Sequence, residues 1–287
     1  MKTTMNTVNQ TFDWSRFTAA LRKEVVENSR TLMFTVIAIY ALLSIVMIIG
    51  NIFTGTTGSS LDEVTSSGIP IHYMFVGYIL LFAITIVASF SFKKLTRKTG
   101  RIDMFTSPAS TLEKFLVNVL IYVIGFIVAF FICAQLADLT RIAVLWYFND
   151  RIDVPGPINF LPMITQAYSF GPMGDMMGVS KVFSLGLLAN AGLFLLGSVL
   201  WPRLSFLKTF AAMYAVEIVL GFLLLLGSFI AGDDKVFAIG RWFLDSIESG
   251  SFTYWLAGFV IFQIILYWSL AWYLFKRKDV ISLKWWK

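Results

Sequence analysis

Six long apolar stretches separated by polar connections set the pattern of this 287-residue chain. They run Thr31–Phe53, Ile71–Phe92, Phe115–Ala137, Val182–Leu200, Thr209–Ile230 and Phe252–Phe275. Crossing the hydrocarbon core of a bilayer takes roughly 20 helical residues, and each stretch reaches or approaches that length. In lipid the backbone finds no water to bond, so stretches this long satisfy themselves as helices. The pattern therefore predicts an all-α polytopic membrane protein with six transmembrane helices.

The polar connections carry their own periodicity. Trp14, Phe17, Leu21 and Val25 recur at helical spacing, while Arg16, Arg22, Lys23, Glu24 and Glu27 occupy other faces. This predicts an N-terminal amphipathic helix over 12–28, behind a polar leader 1–11, lying in the membrane interface. A short helix packed on a partner is the other reading. Residues 1–30 thus form a leader and connecting helix, and 31–287 a six-span domain. The segment 54–70 reads as a simple Gly/Ser/Thr-rich connection. The segment 138–181 is long for a connection and carries Pro155, Pro157, Pro162 and Pro172, which predicts one short helix followed by a cap or wandering loop. Val236–Ile247 reads as a half-buried helix before the last span.

Composition fits this picture and charge orients it. The chain is 57% hydrophobic and 14% charged, where a soluble domain carries about 25% charged residues. Of 23 Lys and Arg, 18 lie on one side of the six-span topology. The positive-inside rule then puts both termini in the cytoplasm of a multi-pass plasma (inner) membrane protein. The net charge of +6 is an orientation signal with some attraction for anionic lipid, so the bilayer, not nucleic acid, is the expected partner. Thirty mostly polar residues precede the first apolar stretch, which does not fit a cleavable signal peptide.

Candidate chemistry is sparse. The chain has no G-x-x-x-x-G-K-[ST], H-E-x-x-H or G-x-S-x-G pattern, one histidine (His72) and one cysteine (Cys133). No catalytic residue, metal site or cofactor is expected in it, and an intramembrane enzyme is the least supported class. Glu217 is the sole ionisable residue in a span core. A charge there costs on the order of 2.5–3.5 kcal/mol, so it is expected to face the bundle interior, a cavity or a partner subunit. It is a pathway candidate, or a structural carboxyl bridging to Asn190 or Gln263. Gly186, Ala189, Gly192 and Gly197 in the fourth stretch permit close helix approach.

The connection 93–114, KKLTRKTGRIDMFTSPASTLEK, is the most structured-looking loop. A basic run breaks at Gly100; Ile102, Met104 and Phe105 follow; Ser107-Pro108 breaks again; Ser110 and Glu113 form a capping box before the third span. Two readings fit: a capped, positively charged anchor, or a short helix projecting apolar side chains as a docking element.

Taken together, these parts resemble the membrane (permease) subunit of a type-2 ABC transporter. The stretch RKTGRIDMFTSPASTLEKFLVNVL is similar to the loose family pattern of a glycine, an apolar run, a Pro-hydroxyl turn and a basic residue opening span three, here Gly100, Ile102–Phe105, Pro108, Ser110 and Lys114. The long segment 138–181 departs from the family's usually short connection. The resemblance implies a permease of an ATP-driven exporter, working with a separate ABC ATP-binding subunit on the cytoplasmic face and a second permease subunit, with ATP bound by the partner. It makes Arg97, Arg101, Ile102, Met104, Phe105 and Pro108 the ATPase-coupling residues. A non-transport scaffold or regulatory subunit, binding a partner through its outer segment, is the alternative.

Overall fold

The computed structural model describes residues 12–55, 71–148, 157–158, 160, 182–231, 241, 245–246 and 251–278. The expected leader 1–11, most of the connection 54–70, most of 138–181 beyond Phe148 and most of the element 236–247 lie outside the described residues. The described chain is helical, with no strand. Its elements are α1 (Trp14–Gly55), α2 (Ile71–Ser89), a 3-10 turn (Lys93–Thr96), α3 (Lys98–Thr106), α4 (Thr111–Val119), a π-helical turn (Leu120–Gly125), α5 (Phe126–Phe148), α6 (Phe183–Leu200), α7 (Ser205–Ala231) and α8 (Ser251–Lys276).

Five helical runs are long and apolar enough to cross a membrane: α1, the run from α4 through the π turn into α5, α6, α7 and α8. This is the build of a multi-pass membrane protein. The stretch expected as the second span forms the apolar helix α2, which ends at Ser89 and hands over to the 3-10 turn.

Two boundaries differ from the sequence pattern. The expected amphipathic helix and first span are one uninterrupted 42-residue helix. No Pro or Gly falls between Ser15 and Ile49 to break it, and Arg30 and Thr31 are compatible with helix. The third span does not stop at Ala137 either. It runs on to Phe148 because Asp138 and Arg141, three residues apart on one face, neutralise each other. Their Oδ1–Nε distance is 2.7 Å and both side chains are 1% exposed.

The helices pack through stripes of every fourth residue. Ile39, Leu43 and Met47 of α1, Val76, Leu80 and Ile84 of α2, and Phe126, Phe130 and Ala134 of α5 are buried together. Residues four apart lie on one helical face and form the ridges that interlock between helices. A second core gathers at the Lys/Arg-rich end: Phe92, Leu95, Met104, Phe115, Leu195, Leu196 and Phe275. Here Phe275 is the hub, with ring centroids 4.9 Å from Phe92, 5.9 Å from Phe115 and 6.4 Å from Phe105.

Helix α6 is the centre, packed on α2, α7 and α8. Small residues allow this: a Cβ on Gly192 would lie 2.5 Å from Trp268 Nε1, and one on Gly197 would overlap the Thr209 side chain. Gly186 faces open space instead. Helix α7 is the outlier. Its first turns pack through Phe206, stacked 5.8 Å from Phe194 and edge-on 6.1 Å from Phe82. From Tyr214 to Gly227 every side chain is exposed. Such a surface is stable against lipid tails, which are as apolar as Leu.

The basic end is closed by Glu113, whose side chain is fully buried. Its Oε2 accepts from the Ser110 amide at 2.7 Å, completing the capping box with Ser110 Oγ, which accepts from the Glu113 amide. Its Oε1 accepts from the Asp13 amide at 2.7 Å and from the Arg16 guanidinium at 3.2 Å. Asp13 in turn caps α1, its Oδ1 accepting from the Ser15 amide at 2.8 Å. One carboxylate thus satisfies the starts of two helices, reaching Asp13 from 100 residues away. Glu113→Ala removes a cap and orphans buried donors, so it is expected to cost roughly 2–4 kcal/mol. Thermal unfolding of the detergent-purified chain measures this, and Arg16→Ala, which leaves the buried carboxylate without its counter-charge, is expected to cost a comparable amount.

Candidate functional site

The connection 93–110 is folded onto the bundle rather than looped away from it. Gly100 is required for this. A Cβ there would stand 2.5 Å from the Lys94 carbonyl oxygen, so α3 lies against the 3-10 turn only with glycine at the contact. Leu95 and Met104 are buried, fixing the turn and α3 to the second core. Thr96 Oγ1 donates to the Pro202 carbonyl at 2.9 Å and ties the turn to the α6–α7 connection.

Helix α1 clamps the same element electrostatically. Lys94 Nζ lies 2.6 Å from both Glu24 Oε2 and Glu27 Oε2. Lys23 Nζ lies 2.8 Å from Asp103 Oδ1 and 3.6 Å from Glu27. The hydrogen bond to Asp103 raises the Lys23 pKa, and the same bond lowers that of Asp103 below its ordinary 3.8. Burial opposes the charge on Lys94, but Glu24 and Glu27 outweigh it and raise its pKa above 10.5. Three charged residues of the predicted amphipathic helix, Lys23, Glu24 and Glu27, therefore pair with the 93–110 segment of this same chain.

The sequence-predicted coupling residues divide by exposure. Arg97, Ile102 and Pro108 are exposed. Arg101 is half-buried, makes no ion pair among the described residues, and its Nε is buried without a hydrogen-bond partner. Burial and the neighbouring Arg101 guanidinium push the Lys278 pKa down, so two cations share this corner. Met104 points into the core and is 9% exposed. Phe105 is half-buried against Phe275. Of the apolar trio expected to project outward, only Ile102 does so. A carboxylate at Phe105 would enter the aromatic cluster, so Phe105→Asp tests stability rather than docking.

The intramembrane polar candidates are not joined by hydrogen bonds. Glu217 is exposed on α7, and Asn190 on α6 and Gln263 on α8 are half-buried. No hydrogen bond or ion pair links Glu217 to either among the described residues. Sequence reasoning missed two elements: the α1 clamp, and the anchoring of Ile158, whose amide donates to Asp138 Oδ2 at 2.7 Å while its carbonyl accepts from Gln135 Nε2 at 2.7 Å. The opposite charges of Glu24, Glu27 and Lys94 were legible as types, but pairings 67–70 residues apart have no local signal. Among the described residues no three His, Cys, Asp or Glu side chains gather as a metal site. Compared with known proteins, the chain matches no family model, no curated protein and no solved structure.

Two outcomes are expected. Gly100→Ala displaces α3 from the turn and lowers the melting temperature, read by thermal unfolding, with a cost of roughly 1–3 kcal/mol as for other overpacked contacts. The exposed Lys23–Asp103 pair is worth about 0.2–1 kcal/mol. Lys23→Asp and Asp103→Lys should each lose that, and the double swap should recover most of it in a double-mutant cycle. The depressed Asp103 pKa makes the pair's contribution complete above 3.8 and lost as pH falls through the lower folded value. The raised Lys94 pKa makes its contribution complete below 10.5 and lost as pH rises through the higher folded value.

Proposed function

We propose that this chain is the permease subunit of an ATP-driven exporter, with the 93–110 element as the contact for a separate ATP-binding subunit. The observation that carries the reading is the two-sidedness of α3. One side is held to the bundle by Met104 and by the Lys23–Asp103 pair. The far side offers Lys98 and Ile102, exposed cationic and apolar groups without an intramolecular acid among the described residues, while Arg101, three residues from Met104, is half-buried on the seated side. A rigidly seated helix with an unspent basic and apolar face is suited to pass a push from a soluble partner into the spans that flank it, α2 and α4. The resemblance noted above supports the same assignment.

In this reading the basic end faces the cytoplasm of the plasma (inner) membrane, as the positive-inside bias requires. Six spans cross the bilayer and a second permease, identical or related, completes the pathway. Glu217, exposed among apolar neighbours on α7, is the residue a second subunit or a water-filled pathway would solvate, because a carboxyl facing lipid tails is costly. ATP is bound by the partner subunit. The second reading, a non-transport scaffold, draws on the other end of the molecule, where Trp146 and Tyr147 are 74% and 77% exposed at the tip of α5.

The test is purification of the tagged full chain from its native membrane in mild detergent, with ATPase activity and protein stoichiometry measured on the eluate. A P-loop protein in fixed ratio is expected. Lys98→Glu and Ile102→Asp should each weaken its retention about tenfold, the effect of losing an interface anchor, while the permease stays folded. An eluate without a nucleotide-binding partner would move the assignment to the scaffold.

A further inference from the structure

A cavity of about 980 Å³ opens at the basic end between α1, the end of α2, the 3-10 turn and the π-helical turn. Its chemistry changes along its length. At the mouth stand Lys93, Lys94 and Arg97, and every charged group in its wall is a cation. Lys94 is held by Glu24 and Glu27, but Lys93 and Arg97 make no ion pair among the described residues; Lys93 Nζ instead sits 5.3 Å from the Phe90 ring centroid. Below the mouth come the hydroxyls of Thr31, Ser91 and Tyr122, and the floor is apolar, with Val36, Val87 and Phe126.

The dimensions match one membrane leaflet. The α1 wall runs from Leu21 to Val36, about 22 Å at 1.5 Å per residue. A bilayer is about 40–45 Å thick with its headgroup layers, so the trench is as deep as one leaflet with its headgroups. The opposite wall is built at the π turn Leu120–Gly125, a departure from α geometry that frequently marks functional sites.

We infer that this trench is a binding site for an anionic membrane lipid, with the phosphate at Lys93 and Arg97 and an acyl chain along α1 against Tyr122 and Phe126. A lipid without a phosphate would leave the two cations uncompensated, a zwitterionic one would bring its own cation beside them, and a free phosphate would leave the apolar floor empty. The inference needs only a membrane-spanning protein, so it stands or falls independently of the exporter reading. Such a lipid would touch α1 and the 3-10 turn at once and would brace the clamp that seats α3.

The experiment compares lipid retention by the purified full chain, by native mass spectrometry and thermal shift, using phosphatidylglycerol, phosphatidylcholine and inorganic phosphate as probes. Phosphatidylglycerol should bind and raise the melting temperature, phosphatidylcholine should bind far more weakly, and phosphate alone should do nothing. Lys93→Gln with Arg97→Gln should weaken phosphatidylglycerol roughly 30-fold, since each basic residue near an anionic surface contributes a factor of about five. Phosphatidylglycerol bearing a photoreactive acyl chain, applied to the unmodified chain, should label 25–36 and 120–129. Equal binding of the two lipids, a shift reproduced by phosphate, an unaffected double variant, or labelling confined to other helices would each overturn the inference.

Discussion

The Glu113 carboxylate is the constraint on which the basic end of this protein depends. It is fully buried, and a buried charge is tolerated only when its lone pairs are filled. Here they are filled from two directions, by the Ser110 amide of its own helix start and by the Asp13 amide and Arg16 guanidinium of α1. That fixes where α1 begins relative to α4. With the start of α1 set, its next turns bring Glu24 and Glu27 to Lys94 and Lys23 to Asp103. The position of α3 follows from these pairs and from the close approach at Gly100.

Beneath this polar layer lies the aromatic cluster around Phe275, which joins the ends of α2, α3, α4 and α8. The two layers resist different displacements. Packed rings hold distances between helices, whereas hydrogen-bonded charges hold orientation and register. An element seated by both moves as a body with the helices it joins, which is the mechanical property a coupling element needs. The trench behind α1 adjoins the same turn, so what fills it also bears on how firmly that turn is held.

The remainder of the membrane region is less tightly specified. α6 is packed by its small residues against α8 and α7, while α7 leaves the bundle after its first turns and exposes Glu217 with its apolar neighbours. In lipid such exposure costs the apolar side chains little, but not the carboxyl. Among the described residues the basic end is tied together by its own side chains, whereas α7 beyond its first turns is exposed.

The sequence by itself determined the helical class, the places where apolar helices form, and the capping box at Ser110 and Glu113, because these depend on composition, span length and contacts within one turn. It marked 93–114 as structured through Gly100 and Pro108, whose backbone demands are local. Tertiary structure decided the rest. That Met104 and Phe105 turn inward while Ile102 faces out, and that Glu217 finds neither Asn190 nor Gln263, depend on how the helices sit around one another. Apolar residues on a membrane helix read alike whether they meet lipid or protein, so hydropathy alone could not tell the packed face of α6 from the open surface of α7. Nor could it pair Lys94 with Glu24 across 70 residues, a match made only when the caps and cores have set the register.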